Sequence, residues 1–138
     1  MKNIVKLILI SISFSSFFAV ADVVVIVHPS NESKIKRVDI KKIFLGKSTL
    51  FRNGNTAKPI NLIDSPETRR FFNKKLLSRS HAQVVSIWSK LEFTSTGTPP
   101  AEKSTSEVLR MVASDPEMIG YIDSSQVTSD VKVVMTIE

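Results

Sequence analysis

Four short apolar segments of the chain have the pattern of β-strands. The first, Val23–Val27, is a continuous run of β-branched residues. Because this run does not alternate with polar residues, it predicts a strand that is buried on both faces. The other three segments are Pro59–Ile63, Met118–Asp123 and Val131–Val134. The sequence therefore predicts four strands.

Helical spacing of apolar residues marks the segments between these strands. In the first such segment Ile40, Ile43 and Phe44 follow i, i+3, i+4 spacing, and Gly46 stands at a C-cap position. Three further helices are predicted to begin at serine N-caps. These caps are Ser65 before a proline and an acid, Ser80 in the capping box Ser80–Gln83, and Ser104 in the capping box Ser104–Glu107.

The order of these segments predicts the fold class. Strands alternate with helices before two final strands, which is typical of an α/β domain with a mainly parallel or mixed central sheet and flanking helices. Open sheets of this kind bind ligands outside the carboxyl ends of their strands. The loops His28–Asn31 and Asp64–Thr68, which follow the first two strands, are therefore candidate ligand loops. Phe93–Lys103, with one glycine and two prolines, is predicted to be a loop.

Residues 1–21 have the pattern of a secretory signal peptide. Lys2 and Lys6 precede the uncharged, mostly apolar run Leu7–Phe18, and Ala19–Ala21 is a small-x-small cleavage signal. The alternative is a membrane anchor, but the run is shorter than the roughly 20 apolar residues that span a bilayer. We expect cleavage after Ala21, export to the periplasm, and one domain over residues 22–138.

Composition excludes several kinds of site. The chain has no cysteine and only two histidines, so thiolate and histidine-rich metal sites are excluded. Phosphate-binding glycine loops and the zinc-protease and serine-hydrolase signatures are all missing from the sequence. The net charge of +6 falls to +4 without Lys2 and Lys6, which is too small to indicate nucleic-acid binding. We therefore expect neither an enzyme, nor a cofactor, nor a metal.

Hydroxyl groups at one predicted helix start suggest an anion site. Ser65 and Thr68 flank a helix N-terminus, where unpaired N–H groups attract anions. The alternative is plain capping by Ser65. Four cations follow on the same predicted helix, and they are Arg69, Arg70, Lys74 and Lys75. These side chains either attract an anion or form a solvated face of the helix. Phe72 and Trp88 have helical spacing and are expected in the core.

Several segments together resemble a known family. They are Val23–Asn31, Ile40–Lys47, Asp64–Leu77 and Ile119–Asp123. In this order the segments resemble the phosphate ABC transporter substrate-binding proteins, as a short member the size of a single lobe within the type 2 periplasmic binding protein superfamily. The resemblance implies a non-catalytic periplasmic protein that binds phosphate or a related oxyanion. It also implies that main-chain N–H groups and hydroxyls hold the anion at the helix start Ser65–Thr68.

The predicted site combines three loops. We expect the anion where Pro29–Asn31, Ser65–Thr68 and Thr96–Gly97 converge. Residues of these loops with hydroxyl, amide or free main-chain groups are expected to contact it, and they are Ser30, Asn31, Ser65, Thr68, Thr96 and Gly97. The alternative function is that of an accessory protein with a degraded site, which docks on the periplasmic part of a membrane sensor or transporter. The sequence leaves the oligomeric state open.

Overall fold

A computed structural model describes residues 22–138, so the predicted signal peptide and its cleavage site lie outside the described residues. The helices and strands follow one another in an order close to the predicted one. They are β1 (Val23–Val27), α1 (Arg37–Phe44), β2 (Lys58–Leu62), α2 (Pro66–Phe72) with a π-helical turn (Asn73–Leu77), α3 (His81–Phe93), β3 (Ala101–Lys103), α4 (Thr105–Ser114), β4 (Met118–Asp123), a 3-10 turn (Ser124–Gln126) and β5 (Lys132–Ile137). Among these helices, none is long and apolar enough to cross a membrane.

The five strands form one mixed sheet in the order β3-β2-β4-β1-β5. β2 runs parallel to both β3 and β4, whereas β1 runs antiparallel to both β4 and β5. The predicted α/β sheet is confirmed in its mixed form. It is not mainly parallel, because the buried strand β1 pairs with the last two strands in the opposite direction.

The hydrophobic core lies on both faces of the sheet. All five residues of β1 are buried, as the unbroken β-branched run predicts. Phe72 stacks on Tyr121 with ring centroids 3.8 Å apart, and Phe44 meets both rings edge-on. Trp88 is 7% exposed and its indole N–H donates to the Phe44 carbonyl at 3.1 Å. The prediction that Phe72 and Trp88 belong to the core is confirmed.

Several elements differ from the sequence prediction, and the last strand spans Lys132–Ile137 rather than Val131–Val134. The segment Phe93–Lys103 is not a loop throughout, because Ala101–Lys103 pairs with Ile60–Leu62 and adds an edge strand to the sheet. β3 therefore forms because it pairs with β2, and local β-propensity does not account for it. The second strand ends at Leu62, one residue earlier than predicted, and Ile63 is 54% exposed.

Candidate functional site

β2 and β4 end on the same side of the sheet, at Leu62 and Asp123, and we call this side the carboxyl edge. The chain leaves β2 there and enters α2 through Ser65. The Ser65 hydroxyl does not cap the helix but donates to the Thr68 hydroxyl oxygen at 2.7 Å. Thr68 is buried, whereas Glu67 is exposed. The plain capping alternative for Ser65 is therefore wrong, because its hydroxyl bonds to a side chain instead.

Asp64 occupies the start of a second helix at the carboxyl edge. Both of its carboxylate oxygens accept from the Thr105 N–H at 3.0 Å, and one also accepts from the Thr105 hydroxyl at 3.0 Å. Thr105 is the first residue of α4, so the carboxylate lies at the positive end of that helix. Asp64 thereby fixes the β2–α2 turn against α4.

Arg69 is the cation nearest to this turn in the chain. Its backbone N–H donates to the Ser65 carbonyl at 3.1 Å, which forms the first turn of α2. Its guanidinium pairs with Glu102 at 3.0 Å, and the Arg69 side chain is 14% exposed. Together with Pro66, Arg70 and other residues, Arg69 lines a hollow of about 210 Å³ beside the turn. The carboxyl edge therefore offers hydroxyls, main-chain N–H groups and one largely buried cation.

The Tyr121 side chain holds the last residues of β2 in place at the carboxyl edge. Its hydroxyl donates to the Asn61 side-chain oxygen at 3.1 Å and accepts from the Leu62 N–H at 3.3 Å. Burial raises the pKa of Tyr121 far above its usual range, so the hydroxyl stays neutral. Since its ring also stacks on Phe72 of α2, this one side chain joins β4 to both elements that carry the turn. Sequence reasoning missed this role, although Asn61 in an apolar strand was a signal of a buried polar pair.

We expect Tyr121→Phe to lower the free energy of unfolding by about 1–3 kcal/mol, because the Leu62 N–H and the Asn61 side chain lose a buried partner. The substitution keeps the ring that stacks on Phe72. Denaturant unfolding monitored by circular dichroism measures the change. An unchanged unfolding midpoint would contradict this assignment of the hydroxyl.

The predicted site residues do not converge. Val27 pairs with Ile119, and Lys58 pairs with Met118, so β1 ends on the side where β2 begins. The loop after β1 therefore lies at the side of the sheet opposite the turn after β2. The prediction that Ser30 and Asn31 meet Ser65 and Thr68 is wrong, because β1 is antiparallel to β4.

Ser30 and Asn31 have local partners in this loop. The Ser30 hydroxyl bonds to Nδ1 of His28 at 2.7 Å. Asn31 is buried, its side-chain oxygen accepts from the Ser33 N–H at 2.9 Å, and its carbonyl accepts from the Lys132 ammonium at 2.9 Å. These contacts close the loop and tie it to β5.

Thr96 and Gly97 also lie away from the carboxyl edge. With Lys58 and Pro59, the first residues of β2, they line an apolar groove of about 390 Å³. The Thr96 N–H donates to the Leu91 carbonyl at 2.9 Å. A Cβ at Gly97 would lie 3.2 Å from Cβ of Leu91, so this glycine permits close packing on α3. Of the six predicted site residues, the structure brings together Ser65 and Thr68.

Comparisons with known proteins identify the fold. Neither a protein-family model nor a curated protein matches the sequence. Among solved structures, an ABC-type phosphate transport receptor from Vibrio cholerae matches with a TM-score of 0.63 at 15% identity, over 83% of this chain and 45% of that chain. A protein from Clostridium perfringens, described as a phosphate ABC transporter substrate-binding protein and solved with bound phosphate, matches with a TM-score of 0.65 at 21% identity, over 83% and 44%.

A third solved structure matches over a similar share of both chains. PstS from Borrelia burgdorferi has a TM-score of 0.60 at 14% identity, over 83% of this chain and 46% of that chain. The chain thus spans less than half of the length of each of these proteins. The resemblance stated from the sequence is confirmed at the level of the fold: residues 22–138 have the fold of one part of the phosphate transport receptors.

Proposed function

We propose that the chain is an oxyanion-binding module of a transport system and that it binds phosphate or a related oxyanion at the Ser65–Thr68 turn. One observation carries the proposal. The hydroxyls of Ser65 and Thr68 bond to each other at the carboxyl edge, and the Ser65 hydroxyl does not bond to the backbone. They do so in a fold shared with phosphate transport receptors, one of which was solved with bound phosphate.

The chemistry of the turn suits an oxyanion. Hydroxyls and main-chain N–H groups are neutral donors, and neutral donors hold an anion without burying a counter-charge. Pro66 lacks an N–H group, so the donors of the first turn come from Glu67 and Thr68. The Glu67 side chain is exposed, and water therefore screens its charge from a bound anion.

The proposal extends to location and partners. The pattern of residues 1–21 supports export to the periplasm, and the structural relatives are transport receptors or substrate-binding proteins. A module of this kind presents its anion to a membrane transporter or sensor. The proposed function includes no catalytic step and no cofactor.

Calorimetric titration of the purified protein with phosphate tests the site. We expect Ser65→Ala to weaken phosphate binding about tenfold, the usual effect of losing one hydrogen bond to a charged group. Glu67→Gln is expected to change the affinity by less than about 1 kcal/mol, the scale of one exposed charge near a helix start.

Ser30→Ala is the matched control. It removes the same hydroxyl from the loop at the opposite side of the sheet, so phosphate affinity is expected to stay unchanged. Equal losses in Ser30→Ala and Ser65→Ala would contradict the assignment of the turn. A large gain in Glu67→Gln would mean that the Glu67 carboxylate repels the bound anion directly.

One observation supports the alternative function of an accessory docking protein, namely the two acidic residues at the carboxyl edge. Asp64 already places a carboxylate at the start of α4, and Glu67 lies in the first turn of α2. A thermal-shift series with phosphate, sulfate and organic phosphates separates the two functions. A ligand at 100 times its dissociation constant stabilises the folded state by about 2.7 kcal/mol, whereas a degraded site gives no shift with any of these anions.

A further inference from the structure

Positive charge is concentrated in one stretch of the chain. Residues 68–91 contain six lysine or arginine residues and neither aspartate nor glutamate. Residues 22–138 carry a net charge of +4, so the residues outside this stretch sum to −2. The positive balance of the described chain therefore comes from α2, the π-helical turn and α3.

The fold gathers part of this charge around an open hollow of about 670 Å³. Arg70 and Lys74 lie four residues apart, about one helical turn, along one wall of the hollow. Ser78, with a left-handed φ of 56°, ends the π-helical turn. Arg79 and His81, on either side of the N-cap residue of α3, line the same hollow. We call the surface of Arg70, Lys74, Arg79 and His81 the basic hollow.

No acidic side chain among residues 22–138 forms an ion pair with the basic hollow. The ion pairs of the described residues are Arg52 with Asp39, Lys58 with Glu117, and Arg69 with Glu102. The one side-chain hydrogen bond of Arg79 goes to the Ser78 carbonyl at 3.0 Å. Like charges that are gathered without an ion-pair partner repel one another, so the basic hollow favours an anionic partner.

Two exposed apolar side chains belong to the segments next to the basic hollow. Ile63 is 54% exposed, and with Arg70 and His81 it lines the adjoining hollow of about 210 Å³. Val85 is 48% exposed and follows His81 by about one turn of α3. Clustered basic side chains attract the anionic headgroups of a bilayer, and an exposed apolar side chain beside them can enter the headgroup boundary. An acidic protein is the alternative partner for the same positive charge.

We infer that the basic hollow docks the protein on an anionic phospholipid membrane. Lipid phosphate groups enter the hollow, where the arginine side chains bind them with two parallel hydrogen bonds and Lys74 contributes a point charge. Ile63 and Val85 lie against the apolar boundary of the bilayer. This docking goes beyond oxyanion binding at the Ser65–Thr68 turn and does not depend on it.

Co-sedimentation with vesicles tests the docking. The purified protein is expected to bind vesicles of phosphatidylglycerol with phosphatidylcholine, not vesicles of phosphatidylcholine alone, and its binding falls as salt rises. Arg70→Gln with Lys74→Gln is expected to weaken this binding roughly 30-fold, the factor for two basic residues near an anionic surface. The matched control, Lys90→Gln with Arg110→Gln, removes the same charge from exposed positions outside the basic hollow and is expected to retain most of the binding.

Three results would overturn the inference. The first is no binding to the anionic vesicles at low salt, and the second is an equal loss in the two double variants, which would indicate attraction by net charge alone. The third is saturable binding of poly-glutamate without vesicle binding, which would indicate an acidic protein partner. None of these results affects the phosphate titration, so failure of the docking and failure of the proposed function are distinguishable.

Discussion

Phe72→Ala is expected to lower the free energy of unfolding by about 3–5 kcal/mol, the usual cost of removing a buried aromatic ring. Phe72 is fully buried, stacks on Tyr121 at 3.8 Å and meets Phe44 at 4.9 Å. Its loss leaves a cavity directly beneath the helix that carries the Ser65–Thr68 turn. Denaturant unfolding of the purified variant measures the change.

The matched control for this substitution is Phe93→Ala. Phe93 is 92% exposed at the end of α3, and surface substitutions of this kind usually change stability by at most about 0.5 kcal/mol. A loss in Phe72→Ala as small as the loss in Phe93→Ala would contradict the assignment of the Phe72 ring to the core.

Gly46→Ala is expected to destabilise the protein by about 2–4 kcal/mol, because a strained backbone and an overpacked contact add together. Gly46 has a φ of +73°, in the left-handed region that favours glycine. A Cβ there would lie 2.5 Å from Cδ1 of Leu91 and 2.9 Å from Cη2 of Trp88. Thermal and denaturant unfolding measure the loss.

Gly54→Ala separates the two contributions. Gly54 has a φ of +89°, but nothing lies within 4 Å of a Cβ built there. This variant is therefore expected to show the backbone cost alone, about 1 kcal/mol. If Gly46→Ala costs no more than Gly54→Ala, then α3 moves freely away from Gly46 and the contact with Trp88 does not constrain it.

Local signals predicted the helix starts well. Ser80 accepts from the Gln83 N–H, and the Gln83 side chain accepts from the Ser80 N–H, as the capping-box sequence predicts. Ser104 also accepts from the Glu107 N–H, at 3.4 Å, but the Glu107 side chain does not return the bond, so the predicted capping box is only half formed. The bonds at Ser80 and Ser104 were predictable because both partners lie within one turn of sequence, whereas the side-chain cap predicted at Ser65 does not form.

Elements that depend on distant partners were not predictable. The short strand Ala101–Lys103 contains a glutamate and a lysine and has no apolar pattern, so only its pairing with β2 identifies it. The π-helical turn Asn73–Leu77 has the composition of an ordinary helix. In both cases tertiary contacts determine the backbone, and a single sequence does not display them.

Strand direction had the largest consequence for the site. The apolar run Val23–Val27 indicates burial equally well for a parallel and for an antiparallel strand, because side-chain burial does not depend on direction. Its antiparallel pairing with β4 separates the Ser30 loop from the Ser65 turn. The half of the site at the Ser65 turn was predicted from helix-start chemistry, whereas the convergence of loops required the topology.

The pairing of β1 also determines when the sheet can form during synthesis. β1 is the first described strand to be made, yet both of its partners, β4 and β5, lie about a hundred residues later in the chain. Such long-range pairing slows folding, because loop closure must precede the contacts that stabilise the sheet. Until β4 emerges, the five-residue β-branched run has no native partner, and unpaired apolar segments of this kind aggregate readily. A chain stalled before Met118 would therefore expose its most hydrophobic strand to chaperones and to other nascent chains.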